Sequence, residues 1–394
     1  MISFIHTADW QIGKKFFQVK DEQKRFRLQQ ERINVISRIR DEVSTLQSQF
    51  VLIAGDMFDS PTPSTTSVLE VLEAIREMEV PVLVIPGNHD HGALGTIWYR
   101  HDFQRNQPKM APNLKVLIER RPYEMDQVVL LPCPLLRNKD NNDPTDWLQS
   151  FNWNSLPSMK PRVVLAHGSI QEFGPRDYAI DNEAQSGANN MIDLKALLTD
   201  QIDYIALGDW HNLKQINAHT WYSGTPEPDR FNNGKNNHRG QVLHVEVERG
   251  MAPQVTALPT GHLNWHNMSF RFTSDADLDR FEKKIEELTA GRVSRDLLRL
   301  EISGRLSFKG HLRYEQIKAD LENKLLRLRI KGECQQTPET DEIEKLTTCL
   351  EDPMIAQVAL DLKGRLDNEA DQNSEEASTI RLALCELYRF AVKN

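Results

Sequence analysis

Five apolar runs between residues 2 and 211 are each followed, within a few positions, by side chains that commonly bind metal ions. Short apolar runs bounded by turn residues are typical of buried β-strands. Five strand ends that carry Asp, Asn, His and Gln therefore constrain the fold, because they imply one shared site. The five segments are Asp9-Trp10-Gln11, Gly55-Asp56-Met57-Phe58-Asp59, Gly87-Asn88-His89-Asp90, Ala166-His167-Gly168 and Asp209-Trp210-His211.

The same apolar runs alternate with helical patterns over about the first 260 residues, which indicates an α/β layered domain. The helical patterns predict helices over Gln23–Leu46 and Ser64–Met78. The predicted strands are Met1–Ile5, Phe50–Ile53, Val80–Ile85, Leu114–Ile118, Val128–Pro132, Arg162–Ala166, Asp203–Leu207 and Val242–Val247.

The pattern changes after Gly261, and strands over Met268–Phe272 and Leu297–Ile302 alternate with amphipathic helices over Asp277–Ala290 and Tyr314–Leu328. We predict three segments: an α/β domain over 1–262, a small α+β domain over 263–331, and an acidic linker with a C-terminal helix over 332–394, which is a candidate partner-binding segment. Residues 271–331 carry 15 Lys and Arg against 11 Asp and Glu. This local excess of positive charge has two interpretations: a phosphate-binding surface, or an even mixture of charges on solvated helices.

The composition is that of an ordinary globular protein of 394 residues with a net charge of −9, which argues against a generally basic nucleic-acid coat. No run approaches the ~18 apolar residues of a transmembrane helix, and the N-terminus lacks a signal-peptide pattern. The four cysteines are scattered without a CxxC pair, so no disulfide framework is indicated. We expect a cytoplasmic protein without membrane association.

The residue types at the five strand ends suit a centre of two divalent metal ions. Such a centre neutralises charge on a phosphoryl group and activates water. His89 is a candidate general acid, with Asp59 orienting its second ring nitrogen. Each motif alone is more often a turn or a structural residue, but five in order favour a metal site. The candidate ligands are Asp9, Gln11, Asp56, Asn88, His167, Asp209 and His211.

These ordered motifs resemble those of the calcineurin-like metallophosphoesterases. Within that superfamily, the segment from His6 to Gly13 and the segment Tyr222-Ser223-Gly224-Thr225-Pro226-Glu227 are similar to SbcD-type DNA repair nucleases. In outline, the segment 263–331 resembles the small capping, DNA-binding domain of those nucleases. The main resemblance covers about residues 1–250 and implies a two-layered β-sandwich flanked by helices, with 1–262 as the nuclease domain. It also implies that one metal ion is held by Asp9, Gln11, Asp56 and His211, and the other by Asp56, Asn88, His167 and Asp209, with His89 as catalytic histidine.

Two residues depart from the family motifs. Gln11 and Asp209 stand where the family has histidine, and both offer oxygen in place of nitrogen. Oxygen donors make the site harder, which favours Mn²⁺, with Mg²⁺ as the alternative, over Zn²⁺. We expect a weaker first metal site, because a carboxamide is a neutral and poor ligand.

The resemblance implies a manganese-dependent DNA nuclease that works with an SbcC-like coiled-coil ABC ATPase and forms a homodimer through the helices after Asp9–Gly13. The chain lacks a Walker A motif, so ATP hydrolysis would belong to the partner. Two alternatives stay open. One is a phosphoesterase acting on nucleotides or another small phosphoester, and the other is a catalytically weakened DNA-binding subunit.

Overall fold

The structure is a computed structural model that describes residues 1–170, 189–197, 199–232, 238–348, 352–371 and 374–393. The chain divides into two compact units, Met1–Asn264 and Trp265–Asn394. The predicted division into three segments, with a separate role for each, stays a prediction.

The first unit contains two six-stranded sheets that pack face to face. The strands of the first sheet are β1 (Ile2–Thr7), β2 (Val51–Ile53), β3 (Val82–Val84), β4 (Leu114–Val116), β13 (Gln241–Val247) and β14 (Gln254–Pro259). Their order is β14-β13-β1-β2-β3-β4. The strands β1 to β4 run parallel, and β13 and β14 add antiparallel strands at one side.

The strands of the second sheet are β5 (Tyr123–Glu124), β6 (Val129–Cys133), β7 (Arg162–His167), β10 (Tyr204–Gly208), β11 (Lys214–Gln215) and β12 (Thr220–Tyr222). Their order is β11-β12-β10-β7-β6-β5, with a parallel centre of β6, β7, β10 and β12. Two short strands, β8 (Ser169–Ile170) and β9 (Met191–Ile192), pair separately.

Apolar side chains from both sheets form the core between them, including Phe4, Leu52, Leu165 and Ala206. The other face of the first sheet is covered by helices α1 (Glu22–Leu46), α2 (Thr65–Arg76) and α3 (His101–Met110). The long helix α1 begins at an Asp21 cap and buries residues spaced three or four apart, which is the pattern of one helix face against a core. This arrangement confirms the predicted α/β sandwich flanked by helices.

The second unit is a smaller α+β structure. Its strands are β15 (Asn264–Phe272), β16 (Asp296–Leu306), β17 (Arg327–Lys331) and β18 (Gln335–Gln336), and the order β15-β16-β17 is completed by β18 beside β16. Helices α4 (Asp277–Thr289) and α5 (Phe308–Lys324) pack on one face of this sheet. The predicted helix over Tyr314–Leu328 is therefore wrong at its end, since the chain leaves the helix after Lys324 and enters β17.

Three further helices follow: α6 (Thr340–Thr347), α7 (Pro353–Asn368) and α8 (Glu375–Lys393). Their apolar faces form a small core with Phe308, Leu346, Ala359 and Leu384. The segment 332–394, predicted as an acidic linker with a C-terminal helix, thus contains two more helices, α6 and α7, among its described positions. In the described part of the chain, no helix is both long enough and apolar enough to cross a bilayer.

Candidate metal centre

The loops that follow β1, β2, β3, β7 and β10 meet at one edge of the sandwich. In each sheet these strands are parallel neighbours, so their carboxyl ends lie at the same edge. The backbone of the first two loops continues to pair beyond the strands, since Asp9 N donates to the carbonyl of Gly55 at 3.1 Å and Gln11 N to that of Asp56 at 2.9 Å. These two hydrogen bonds hold Asp9, Gln11 and Asp56 beside one another.

Four candidate ligands have left-handed backbone conformations: Asp9 (φ 53°), Gln11 (φ 44°), Asp56 (φ 55°) and Asp209 (φ 100°). This region is strained for residues with a Cβ, and such strain is concentrated at functional sites. Asp9 and Gln11 lie beyond the end of β1 at Thr7, so strand alternation does not place their side chains. The two side chains reach the same region because both residues turn left-handed.

Arg32 on α1 stabilises the strained loop after β1. Its guanidinium is buried and donates to the carbonyl oxygens of Trp10 at 2.7 Å and Asp9 at 2.9 Å. It also reaches the carbonyl of Glu227 at 3.1 Å and the hydroxyl of Thr225 at 3.0 Å. One buried cation thus fixes the loop after β1 to the loop after β12.

Asp9, Asp56 and His167 form the buried centre of the cluster. One potential ligand atom from each lies within 4.8 Å of the others. The Oδ1 of Asp9 is buried and has no hydrogen-bond partner among the described residues. An unpartnered buried carboxylate oxygen is costly, and a bound cation is the usual means of satisfying one. The donor set therefore fits a divalent metal ion.

His167 presents a single nitrogen to this centre. Its Nδ1 lies 2.7 Å from the carbonyl oxygen of Ala54, which leaves Nε2 facing the cluster. That Nε2 lies 2.8 Å from Asn88 Oδ1, 3.6 Å from Asp56 Oδ1 and 3.9 Å from Asp209 Oδ1. Four candidate ligands thus meet around one point.

The electrostatics of the site reflect the crowding of acidic groups. Burial alone lowers the pKa of His167, but Asp56, Asp9 and Asp209 raise it to about 9. Burial raises the pKa of Asp9 to about 8, and the Asp56 and Asp209 carboxylates add to that effect. Burial also acts to raise the pKa of Asp56, yet His167 and His89 hold it below its usual value. Without a metal ion, protons supply the positive charge that this cluster requires.

Asp209 is held by two further contacts. Ser169 Oγ donates to its Oδ2 at 2.6 Å, and its backbone N–H donates to Asp9 Oδ2 at 3.2 Å. Glycines let the backbone approach closely here, since a Cβ on Gly208 would lie 2.0 Å from the carbonyl oxygen of Ala54 and 2.8 Å from His167 Nδ1.

Gln11 and His211 lie on the other side of Asp9. His211 Nε2 is 3.8 Å from Asp9 Oδ1 and 3.2 Å from Gln11 Nε2. The ring of His211 is oriented by the buried carboxylate of Asp229, whose Oδ2 is 3.1 Å from Nδ1. Lys14 Nζ donates both to Gln11 Oε1 at 2.7 Å and to Asp229 Oδ2 at 2.8 Å. The segments Asp9-Trp10-Gln11 and Asp209-Trp210-His211 therefore contact each other directly through Gln11 and His211, and Lys14 also contacts Gln11.

His89 lies at the rim of the cluster, a third exposed, which suits a group that meets a substrate. Its backbone N–H donates to Asp56 Oδ1 at 2.9 Å, and its Nε2 is 3.9 Å from Asp56 Oδ2. Its Nδ1 lies 3.0 Å from the carbonyl oxygen of Asp59, whereas the Asp59 carboxylate is 3.9 Å away. In this arrangement the closer contact from Asp59 to the ring is its backbone carbonyl.

Five residues at the site carry roles that sequence reasoning did not assign. Asp90 accepts from the backbone N–H groups of Gly87 at 2.8 Å and Phe58 at 3.1 Å, so it shapes the loop that carries Asn88. Only Asp90 had a signal, because it stands inside the Gly87-Asn88-His89-Asp90 motif. The others are scattered charged or hydroxyl residues that only the fold brings in: Lys14, Arg32, Ser169 and Asp229.

Comparison with known proteins gives a family match. The sequence model of the calcineurin-like phosphoesterases matches residues 2–236. The chain is 24% identical over 268 residues to the SbcD component of the nuclease SbcCD from Staphylococcus epidermidis, covering 62% of this chain and 66% of that protein. It is 24% identical over 355 residues to the DNA double-strand break repair protein Mre11 of Methanosarcina acetivorans, covering 84% of this chain and 51% of that protein.

The chain thus spans less than two thirds of either relative. Among solved structures, it is similar to the protein TT1561 of Thermus thermophilus, with a TM-score of 0.38 and 8% identity, covering 66% of this chain and 99% of that chain.

Proposed function

The chain belongs to the calcineurin-like phosphoesterase family, and from that premise we propose that it is a metal-dependent nuclease that hydrolyses phosphodiester bonds of DNA. The observation that carries the proposal is the convergence of Asp9, Asp56 and His167 within 4.8 Å, with a buried Asp9 oxygen that lacks a protein partner among the described residues. The two named relatives, a nuclease subunit and a DNA break repair protein, support DNA as substrate.

Two divalent ions are proposed to occupy neighbouring positions. We define the first metal position by Asp9, Gln11, Asp56 and His211, and the second metal position by Asp56, Asn88, His167 and Asp209. When bound, such ions supply positive charge to the phosphoryl oxygens and activate a water molecule. Mn²⁺ is the proposed ion, with Mg²⁺ as alternative, because oxygen donors predominate.

The protein's own groups would orient and protonate the substrate. His89 lies at the exposed rim with one nitrogen held by the Asp59 carbonyl at 3.0 Å. A histidine held in this way can donate a proton to the leaving oxygen when the phosphodiester bond breaks. Asp56 receives the backbone N–H of His89 at 2.9 Å, so the proposed acid and the proposed bridging ligand are fixed together.

The second unit offers a surface suited to DNA. Its sheet buries Met268, Leu300 and Leu328 against α4 and α5, so the alternate residues of the strands face the other way. Among the described residues of strands β15, β16 and β17, that opposite face carries one acidic side chain, Glu301. We call it the basic sheet face, and its cations are Arg271, Arg299, Arg305, Arg327, Arg329 and Lys331.

Within the basic sheet face, Arg299 and Arg329 are paired in register on adjacent strands. Burial and the neighbouring guanidinium of Arg329 both lower the pKa of Arg299 and that of Arg327. Like charges at this spacing repel, and a phosphate backbone would relieve the repulsion while releasing counterions. A cavity of about 420 Å³ between Asn267, Arg299 and Arg329 gives room for such a group.

The proposed partners follow the relatives. We propose that the protein works with an SbcC-like coiled-coil ABC ATPase and forms a homodimer through the start of α1 and the segment before it. Phe26 on α1 is 61% exposed, and Phe17 in the preceding segment is 75% exposed. Exposed aromatic side chains of this size are enriched at interfaces. A cytoplasmic location stays part of the proposal.

The test is a cleavage assay with end-labelled single- and double-stranded DNA and Mn²⁺, with and without a co-encoded ATPase. We expect cleavage by the natural protein, strong loss in Asp56→Ala, and slower cleavage in His89→Gln. His101→Gln, a change at an exposed histidine on α3, is the matched control. Absence of metal-dependent cleavage in all conditions would overturn the proposal.

One observation favours an alternative, a catalytically weakened DNA-binding subunit. Both polar atoms of the Gln11 carboxamide already have protein partners, Lys14 and His211. DNA binding without cleavage would support this alternative. Rapid hydrolysis of a small phosphodiester without DNA cleavage would instead support a phosphoesterase acting on small substrates.

A further inference from the structure

The carboxamide of Gln11 is held between a cation and an imidazole. Its Oε1 accepts from Lys14 Nζ at 2.7 Å, and its Nε2 lies 3.2 Å from His211 Nε2. The amide oxygen is the atom that could bind a metal ion, and in this arrangement it is directed to the lysine. The amide N–H groups, which cannot bind a metal ion, face the histidine.

His211 has no lone pair left for a metal ion in this arrangement. When Nδ1 carries the proton, it donates to Asp229 at 3.1 Å, and the lone pair of Nε2 accepts from Gln11. When Nδ1 instead accepts from Arg230, whose guanidinium nitrogen lies 2.7 Å away, the proton is on Nε2. In the first tautomer, Nε2 can bind a metal ion only after the Gln11 contact changes, and in the second Nε2 has no lone pair because it carries the proton.

Lys14 prevents the simplest change, which is rotation of the Gln11 amide by half a turn. That rotation would bring the amide NH₂ against the ammonium group, so two donors would face each other and the 2.7 Å hydrogen bond would be lost. Lys14 is itself fixed, because it also donates to the fully buried carboxylate of Asp229 at 2.8 Å. Its charge also opposes the entry of a second cation.

The second metal position has no such obstruction. His167 Nε2 and Asn88 Oδ1 lie 2.8 Å apart and face the same point, and Asp56 Oδ1 is 3.6 Å from that nitrogen. Among the hydrogen bonds and ion pairs of the described residues, no Lys or Arg side chain reaches the four ligands of this position. The ligands of both positions therefore contact one another, but only at the first position does a described contact with a lysine hold the ligand atom itself, the amide oxygen of Gln11.

We infer that Lys14 is a positioning residue that turns Gln11 away from the first metal position, so that the protein binds one divalent ion tightly and a second ion weakly. The inference rests on the ligand assignment of the proposed function. If so, the second position fills at low metal concentration, and the first position fills only when the concentration is raised further.

The experiment measures Mn²⁺ binding to the full chain by isothermal titration calorimetry and by electron paramagnetic resonance. The natural protein should bind one ion tightly and a second with at least tenfold weaker affinity. The six-line spectrum of an isolated Mn²⁺ should persist until the second ion enters, when spin coupling between the ions broadens it. Lys14→Met should strengthen binding of the second ion at least tenfold. Spin coupling between the two ions should then appear at a lower Mn²⁺ concentration than in the natural protein.

Two further variants make the result specific. Lys15→Met removes the same charge from an exposed neighbour and should leave both affinities unchanged. Gln11→His replaces the amide that Lys14 holds with an imidazole. It should strengthen binding of the second ion without any change at Lys14. Circular dichroism checks that each variant is folded.

Two equally tight ions in the natural protein, or an unchanged second affinity in both Lys14→Met and Gln11→His, would overturn the inference while leaving the proposed function intact. No Mn²⁺ binding at all would instead overturn the metal centre on which the proposed function rests.

Discussion

His167 Nε2 and Asn88 Oδ1 lie 2.8 Å apart, while the other ring nitrogen of His167 is 2.7 Å from the carbonyl oxygen of Ala54. Both of these oxygens are acceptors, so the ring satisfies both only when it carries two protons. A pKa of about 9 for His167, raised by Asp56, Asp9 and Asp209 against the effect of burial, agrees with this protonated state. In the metal-free protein a proton therefore stands where a metal ion would bind.

The first prediction concerns pH. The folded-state pKa of His167 is about 9 against 6.5 for the ordinary group, so its stabilisation is fully present below pH 6.5 and is lost as the pH rises towards 9. Asp9, whose folded pKa is about 8, acts in the same direction, because its deprotonation is easier in the unfolded chain. The melting temperature of the metal-free protein should fall between pH 6.5 and 9.

The control is the same protein loaded with Mn²⁺, in which metal binding has displaced these protons. Its melting temperature should depend less on pH over that interval. A metal-free protein that gains stability from pH 6.5 to 9 would contradict this explanation.

A second prediction concerns Arg32, which donates to the carbonyls of Asp9 and Trp10. Arg32→Met leaves buried acceptors without partners and should lower the free energy of unfolding by about 3 kcal/mol. Urea denaturation measures the change. Arg27→Met, on an exposed position of the same helix, should change stability by less than about 0.5 kcal/mol. Equal effects of the two substitutions would show that the contacts of Arg32 do not stabilise the loop.

A third prediction concerns Gly87, whose added Cβ would lie 2.1 Å from Asp56 Oδ1 and 2.5 Å from Asp56 N. Gly87→Ala should displace the Asp56 carboxylate and weaken Mn²⁺ binding at least tenfold by calorimetry. Gly364→Ala, which meets nothing within 4 Å and lies in a helix, should leave metal binding unchanged. Unchanged Mn²⁺ affinity in Gly87→Ala would argue that Asp56 is not a ligand.

The fold could be predicted from the sequence where the local pattern is strong. The predicted strand Val242–Val247 is observed as Gln241–Val247, and the predicted helix Gln23–Leu46 as Glu22–Leu46. The helix His101–Met110 was not predicted, since it contains Pro108 and has a polar sequence. The first two residues of β17, Arg327 and Leu328, were predicted as the end of a helix, because the alternation of this strand is short.

The site shows the same division. Motif residues such as Asp56, Asn88 and His167 could be predicted because they follow strands whose apolar pattern is clear in the sequence. Lys14, Arg32 and Asp229 could not, because their roles depend on contacts between segments as far as 215 residues apart. The orientation of the Gln11 amide is likewise set by Lys14, and no spacing rule reports which way an amide turns.

A fourth prediction concerns the basic sheet face of the second unit. The double variant Arg299→Ala with Arg329→Ala removes the two guanidinium groups paired on adjacent strands. It should weaken DNA binding about tenfold or more at moderate salt and reduce the salt dependence of the binding constant by about two ions. Fluorescence anisotropy at several salt concentrations measures both quantities.

The matched control is Lys283→Ala with Lys284→Ala, which removes two exposed cations from helix α4 of the same unit. It should change the affinity less than the arginine pair does. Equal losses in the two double variants would mean that net charge alone attracts DNA.

The central claim is that Asp56 and His167 belong to one metal centre. Its most direct test is a crystal structure of the protein with Mn²⁺, in which anomalous scattering locates the ion. We predict a strong peak within bonding distance of Asp56, Asn88, His167 and Asp209, and a second, weaker peak beside Asp9 that strengthens as Mn²⁺ is raised. Manganese bound elsewhere, with neither Asp56 nor His167 among its ligands, would contradict the account.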